Sequence, residues 1–222
     1  MAGLLAFSEP RRTAHQFVRE TLRRAILSGG LAAGVRLVQA DIAAQLEVST
    51  TPVREALRDL SADGLIHFDP HRGAIVRELD LAELAEIYEI RESLEILAVR
   101  KAAERITDTE LKTAKSLQDK MNAETDMGAW VVLNAQFHAL IVKAARSPRL
   151  ESIITNLQDT ATIYVAHSLT QAPNRVKGGN REHRELLTAL RQHDGDRAAA
   201  VLTKHLESTL DTILGTAKVN AE

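Results

Sequence analysis

Two groups of residues have types and spacings that could do chemistry. In "NAQFHALI", Asn134 and His138 stand four apart, which puts an amide oxygen and an imidazole on one face of a helix. His183 opens a later helical segment and His205 lies within the last one. If those helices are antiparallel neighbours, the imidazoles and the Asn134 carbonyl can converge. Three nitrogens and one oxygen suit Zn²⁺, Ni²⁺ or Mn²⁺, zinc foremost, with open positions for a carboxylate ligand. Spacing alone equally allows separate, partly buried histidines satisfied by local hydrogen bonds. The second group lies in "VSTTPVREALRDLSADGLI". Helical spacing puts Val53, Ala56, Leu57 and Leu60 on one face and Thr50, Thr51, Arg54 and Arg58 on the other. Pro52 is tolerated in a first turn whose amides have no internal partner, and Ser49 suits the N-cap. Free N–H groups, hydroxyls and a positive dipole end fit a phosphate. Arg54 and Arg58, one turn apart, can reach into a major groove about 12 Å wide and pair with guanine. An isolated helix of this kind could also be a solvated surface, so its neighbours decide.

Those neighbours form a recognisable order. "TAHQFVRETLRRAILSGG" has helical spacing at Phe17, Val18, Leu22, Ala25 and Ile26 and stops at Gly29-Gly30. "QADIAAQLEV" gives a short second helix, and the tight turn "EVS" leads to a third from about Thr50 to Ala62, closed by Asp63-Gly64. "LIHF" and "AIVREL" read as strands around a hairpin tip, "DPHRG", which would set Arg72 beside a narrow minor groove or a phosphate. Three short helices and a β-hairpin make a winged helix-turn-helix. From Asp80 the pattern changes to long helices over 81–104, 108–122, 127–145, 149–168, 181–193 and 196–215. Breaks fall at "SPRL", "TQAPNRVKGGN" and "DGD", and "DLAE" and "TDTE" look like capping boxes. The expected fold is mainly α: a tail over 1–10, the winged head over 11–78 and an all-α antiparallel bundle over 79–222.

Composition agrees and narrows the function. Among 222 residues there is no cysteine, which excludes disulfides and thiolate metal sites and fits a cytoplasmic protein. Only 3% of residues are aromatic, so Leu, Ile, Val and Ala must build the core. No apolar run approaches the roughly 20 residues of a membrane span. The net charge of −2 argues against non-specific coating of nucleic acid. Residues 1–78 nevertheless carry ten arginines and no lysine against nine acidic residues, enough for a local reading surface.

At this point the residues resemble a family. "AAGVRLVQADIAAQLEVSTTPVREALRDLSADGLI" followed by "HRGAIV" is similar to the GntR-family winged-helix repressors. The resemblance implies DNA contact by Arg36, by Thr50, Thr51, Arg54 and Arg58, and by Arg72 and Gly73 in the wing. Position 50 is Thr where members often carry Arg, which removes one base or phosphate contact. "IYEIRESLEILAVRKAA", "NAQFHALI" and "EHRELLTALRQHDGDRAAAVLTKHLEST" resemble the FCD effector domain of the FadR-type branch. That resemblance implies a metal held by Asn134, His138, His183 and His205, with Asn supplying a neutral oxygen where members offer Asp or Asn. It also favours Arg91 as the partner of an effector carboxylate, against the alternative of a surface pair with Glu95. Trp130 and Tyr164 read as core or cavity wall, His167 and His193 as ordinary.

The expected protein is a ligand-responsive repressor, a homodimer on a palindromic DNA operator, sensing a small organic acid. The competing expectation is a metal-free DNA-bound dimer whose bundle only oligomerises or binds a partner. An enzyme is not expected: no histidine has Glu three residues before it, and there is no His-Glu-x-x-His and no Gly-rich phosphate loop.

Overall fold

In the computed structural model, residues 13–77, 80–172 and 174–219 are described; the expected tail over 1–10 lies outside them. Helix α1 spans Ala14–Leu27 and opens on a capping box in which Thr13 and Gln16 satisfy each other's backbone amides. Strand β1 is Arg36–Leu37, followed by α2, Gln39–Gln45, and α3, Thr50–Ala62. Between the last two, Glu47 adopts φ 54°, the left-handed geometry that makes the turn tight. Strands β2, Ile66–Asp69, and β3, Gly73–Val76, form the hairpin, with Ile66 opposite Val76 and Asp69 opposite Gly73.

Two details differ from the sequence expectation. The wing has three strands in the order β1-β3-β2, because Arg36 and Leu37 pair with Ile75 and Ala74. A two-residue strand is too short to leave an alternation pattern. The third strand ends at Val76, with the Arg77 amide still donating to the Leu65 carbonyl in the same register; residues 78 and 79 of the expected strand lie outside the described residues. Val18, Leu22 and Ile26 of α1 meet Val53, Ala56, Leu57 and Leu60 of α3 and Leu65, Ile66 and Val76 of the hairpin, all buried. This is the core that turns the opposite face of α3 outward.

The bundle follows as α4, Leu81–Arg105; α5, Asp108–Ala123; α6, Met127–Ala144; α7, Pro148–Gln171; α8, Asn174–Arg191; and α9, Gly195–Val219. The capping box at Thr107 and Glu110 is complete. At Asp80 only half forms: the carboxylate accepts from the Ala82 and Glu83 amides, while Glu83 pairs with Arg77 at 2.8 Å. The largest difference is at "TQAPNRVKGGN", expected as a loop to residue 180. Helix α7 continues to Gln171 and α8 begins at Asn174. Helical glycines cost about 1 kcal/mol each, but Gly179 is buried where an added Cβ would sit 3.7 Å from the Trp130 ring. Close packing replaces what propensity lacks, and the added turns carry Arg175 into the bundle.

Helix α7 also joins the two parts. It packs against α4, α6 and α9 on one side and α1 on the other. Arg23 of α1 pairs with buried Asp159, and Asn156 Nδ2 donates to the Ala62 carbonyl at 3.3 Å. Gly64, with φ +75°, lies where a Cβ would come within 2.9 Å of Thr160 Oγ1. Buried Tyr164 accepts from the Asp80 amide at 3.0 Å, fixing the start of α4.

Candidate metal centre and nucleic-acid interface

Asn134 and His138 come from α6, His183 from α8 and His205 from α9. The three histidines are buried, with ring centroids 4.9 to 5.1 Å apart. One nitrogen from each falls within 4.8 Å of the others, a triad that could hold a metal ion. Both ring nitrogens of His183 and the Oδ1 of Asn134 are buried with no hydrogen-bond partner. Buried polar atoms are ordinarily satisfied, and an orphaned one costs about 1–3 kcal/mol. An ion taking the lone pair of one His183 nitrogen and one from Asn134 Oδ1 removes that cost at those two atoms, so the residues fit a metal.

Electrostatics agree. Burial holds the pKa values of His138 and His183 well below the usual imidazole range, and neighbouring charges act in the same direction. Burial also lowers His205, against the opposing pull of Glu182. Neutral imidazoles offer lone pairs, the form a metal requires. The His205 Nδ1 lies 2.7 Å from Glu182 Oε2, which also accepts from Arg175 Nη2 at 2.8 Å. Burial pushes the Glu182 carboxyl up, but its bonds to His205 and Arg175 outweigh that and bring it to about 2.

Beside the triad is a cavity of about 50 Å³ lined by Arg91, Asn134, His138, Arg175, His205 and Thr209, among others. Arg91 is 7% exposed, and its Nε donates to buried Glu95 at 2.7 Å. Its guanidinium carbon stands 4.6 Å from the centre of the Tyr88 ring. The surface pair with Glu95 is therefore corrected: the pair exists, but inside the bundle. Trp130 is buried as expected and donates from its indole to Asn180 Oδ1 at 3.2 Å. His193 Nδ1 lies 2.6 Å from the Ala103 carbonyl, an ordinary structural contact, and the side chain of His167 lies outside the described residues.

Sequence reasoning missed Arg175 in this site and gave Glu182 no role towards the histidines. Seven residues separate them on α8, two turns of one face, which is the signal that could have found them. The expected loop at 170–180 concealed it.

In the head, Arg36, Thr50, Thr51, Arg54, Arg58, Arg72 and Gly73 are all exposed. Arg54 and Arg58 project from α3 opposite the buried Val53, Leu57 and Leu60. Ser49 occupies the N-cap position but makes no side-chain cap bond, so the first-turn amides of α3 keep that valence open. At the wing tip, Asp69 Oδ1 accepts from the His71 and Arg72 amides at 2.8 and 2.6 Å. Gly73 takes φ +79°, with no atom within 4 Å of an added Cβ. The tip is thus a stiff turn presenting Arg72 to solvent. Among the described residues, no helix is long and apolar enough to cross a membrane.

Comparison with known proteins gives these sites a context. Residues 14–76 match the bacterial regulatory proteins of the gntR family, and residues 86–208 match the FCD domain. The chain is 27% identical to the HTH-type transcriptional repressor RspR of Escherichia coli K12, over 92% of this chain and 90% of that protein. It is 30% identical to a probable D-xylose utilization operon transcriptional repressor of Paenarthrobacter nicotinovorans, over 90% of this chain and 88% of the relative. Among solved structures, E. coli McbR/YncC superposes with a TM-score of 0.83 at 27% identity, over 92% of this chain and 99% of that one. A winged head that presents its arginines outward, followed by a helical domain of this type, places the protein with transcriptional regulators and not with enzymes: the chain belongs to the gntR family of bacterial regulatory proteins, in its FCD-bearing, FadR-type branch.

Proposed function

We propose that the protein is a metal-dependent, acid-responsive repressor that binds a palindromic operator as a homodimer in the cytoplasm. The reading divides the chain into a DNA-binding head over 11–78 and an effector-binding, dimerising bundle over 79–222. The observation that carries it is the convergence of three buried imidazoles, with the orphaned Asn134 oxygen and Arg91 lining the adjoining cavity. The donor set suits zinc, with nickel or manganese as alternatives. A divalent ion there would supply a Lewis-acid position for one oxygen of a small organic acid. Arg91, which lines the cavity, would meet the acid's negative charge by a charge-assisted hydrogen bond. Small cavity volume favours a small acid.

Arg54 and Arg58 would read bases in the major groove, with Thr50 and Thr51 at the helix N-terminus and Arg36, Arg72 and Gly73 positioning the wing. Support for dimerisation comes from Ile90, Leu97 and Ile153, large apolar residues exposed on α4 and α7. Support for repression is the description of the relatives RspR and the D-xylose protein as repressors. Metal content tests the central part. The purified protein is expected to carry about one transition-metal ion per chain, and His183→Ala to lose it with the head still folded. Unchanged stoichiometry in the variant would remove His183 from the site. Metal-free wild type that binds its operator regardless of any acid would favour a bundle that only oligomerises.

A further inference from the structure

Resting on the metal reading above, one layer behind the histidines is also built for the ion. An imidazole can bind a metal through either nitrogen, and the hydrogen bond at the other nitrogen decides which. For His205 that bond is specified. Its Nδ1 faces Glu182 Oε2 at 2.7 Å, in a buried setting. A carboxylate can only accept, so Nδ1 carries the proton and Nε2 is left with the lone pair.

Glu182 is itself held. Arg175 Nη2 donates to the same oxygen at 2.8 Å, and to Thr209 Oγ1 at 2.9 Å and the His205 carbonyl at 3.3 Å. Ser208 Oγ stands 3.5 Å from the other oxygen. Arg175 therefore ties the first turns of α8 to the α9 turn that carries His205. It also gives the buried carboxylate a compensating charge, without which burial would favour the neutral acid. This arrangement explains why α8 begins at Asn174, through a pair of glycines, when a shorter helix would still deliver His183.

We propose that Glu182, clamped by Arg175, is a positioning residue that fixes His205 as its Nδ1–H tautomer with Nε2 turned to the metal. The clamp sets the affinity of the site without touching the ion. Neighbouring His183 has no such partner, so of these two ligands His205 is the one whose tautomer a side-chain bond sets.

The test uses full-length protein stripped of metal and titrated with Zn²⁺ against a chromogenic chelator, and with Co²⁺ to read its visible absorption. Glu182→Ala is expected to weaken Zn²⁺ binding roughly 10–100-fold and change the Co²⁺ spectrum. Glu182→Gln, which keeps an acceptor for the imidazole N–H, is expected to recover much of that loss. A structural role alone would lower stability without such a rescue or spectral change. Arg175→Met is the second variant should Glu182→Ala not fold, with a smaller loss expected in the same direction. Wild-type affinity and an unchanged Co²⁺ spectrum in the folded variants would overturn the clamp while leaving the metal centre intact. Failure of the wild-type protein to bind either ion would overturn the metal reading itself.

Discussion

Replacing Glu95 by Gln isolates the charge on Arg91. Arg91 and Glu95 are 7% and 2% exposed, and their side chains meet at 2.7 Å. Burial disfavours the charged guanidinium, and Glu95 with Tyr88 more than offsets it. Removing one partner of a buried pair costs about 3–5 kcal/mol because the remaining charge is uncompensated. Gln keeps the acceptor oxygen and nearly the same volume, so we expect the lower end, about 3 kcal/mol. For a chain of this length each kcal/mol lowers Tm by roughly 2–4 °C, giving a fall of about 6–12 °C. The assay is thermal unfolding followed by circular dichroism, with and without formate, acetate and succinate. A bound carboxylate supplies the negative charge that Gln lacks, so an acid that fits the cavity should raise the variant's Tm more than the wild type's. At 100 times its Kd such an acid would return about 2.7 kcal/mol, most of the loss. A variant melting with the wild type would refute the buried, charge-dependent pair. A destabilised variant that acids raise no more than wild type would refute Arg91 as their partner.

The other perturbations are simpler. Arg54→Ala should weaken specific operator binding by about 1–3 kcal/mol with the head still folded, measured by fluorescence anisotropy; equal affinity would remove Arg54 from base reading. In chelator-treated protein, His138, His183 and His205 have folded pKa values below that of the unfolded chain. The unfolded state then binds more protons below about pH 6.5, so stability is complete above that value and declines as pH falls through it. Urea midpoints that stay level from about pH 8 to 5 would contradict neutral buried imidazoles. Gly64→Ala meets both φ +75° and Thr160 Oγ1 at 2.9 Å. It should cost at least the roughly 1–2 kcal/mol of a left-handed Ala, and an unchanged Tm would place α7 away from the head.

What the sequence discloses follows the range of the interactions. The Thr107–Glu110 capping box and the α3 faces depend on residues three or four apart, and both stand where spacing puts them. Strand β1 was hidden because its pairing partners, Ala74 and Ile75, lie far along the chain and it has only two residues. The onset of α8 was hidden because Gly178 and Gly179 read as breakers, whereas the Trp130 ring against Gly179 is a tertiary fact. Arg91 and Glu95 were legible as an i,i+4 pair, but not as a buried one. Helix α4 has many charged residues, and only packing decides which of them face inward. The histidines were visible as candidates, and their convergence required the antiparallel packing of α6, α8 and α9. Arg175 gave no local signal beyond its two-turn spacing from Glu182.

The most direct test of the account is anisotropy binding to DNA upstream of the protein's own gene, with the protein metal-loaded and then stripped, across a panel of small carboxylates. The account predicts tight, salt-dependent, competitor-resistant binding that one acid relieves only when the metal is present. Specific binding that neither the metal nor any acid in the panel alters would contradict it.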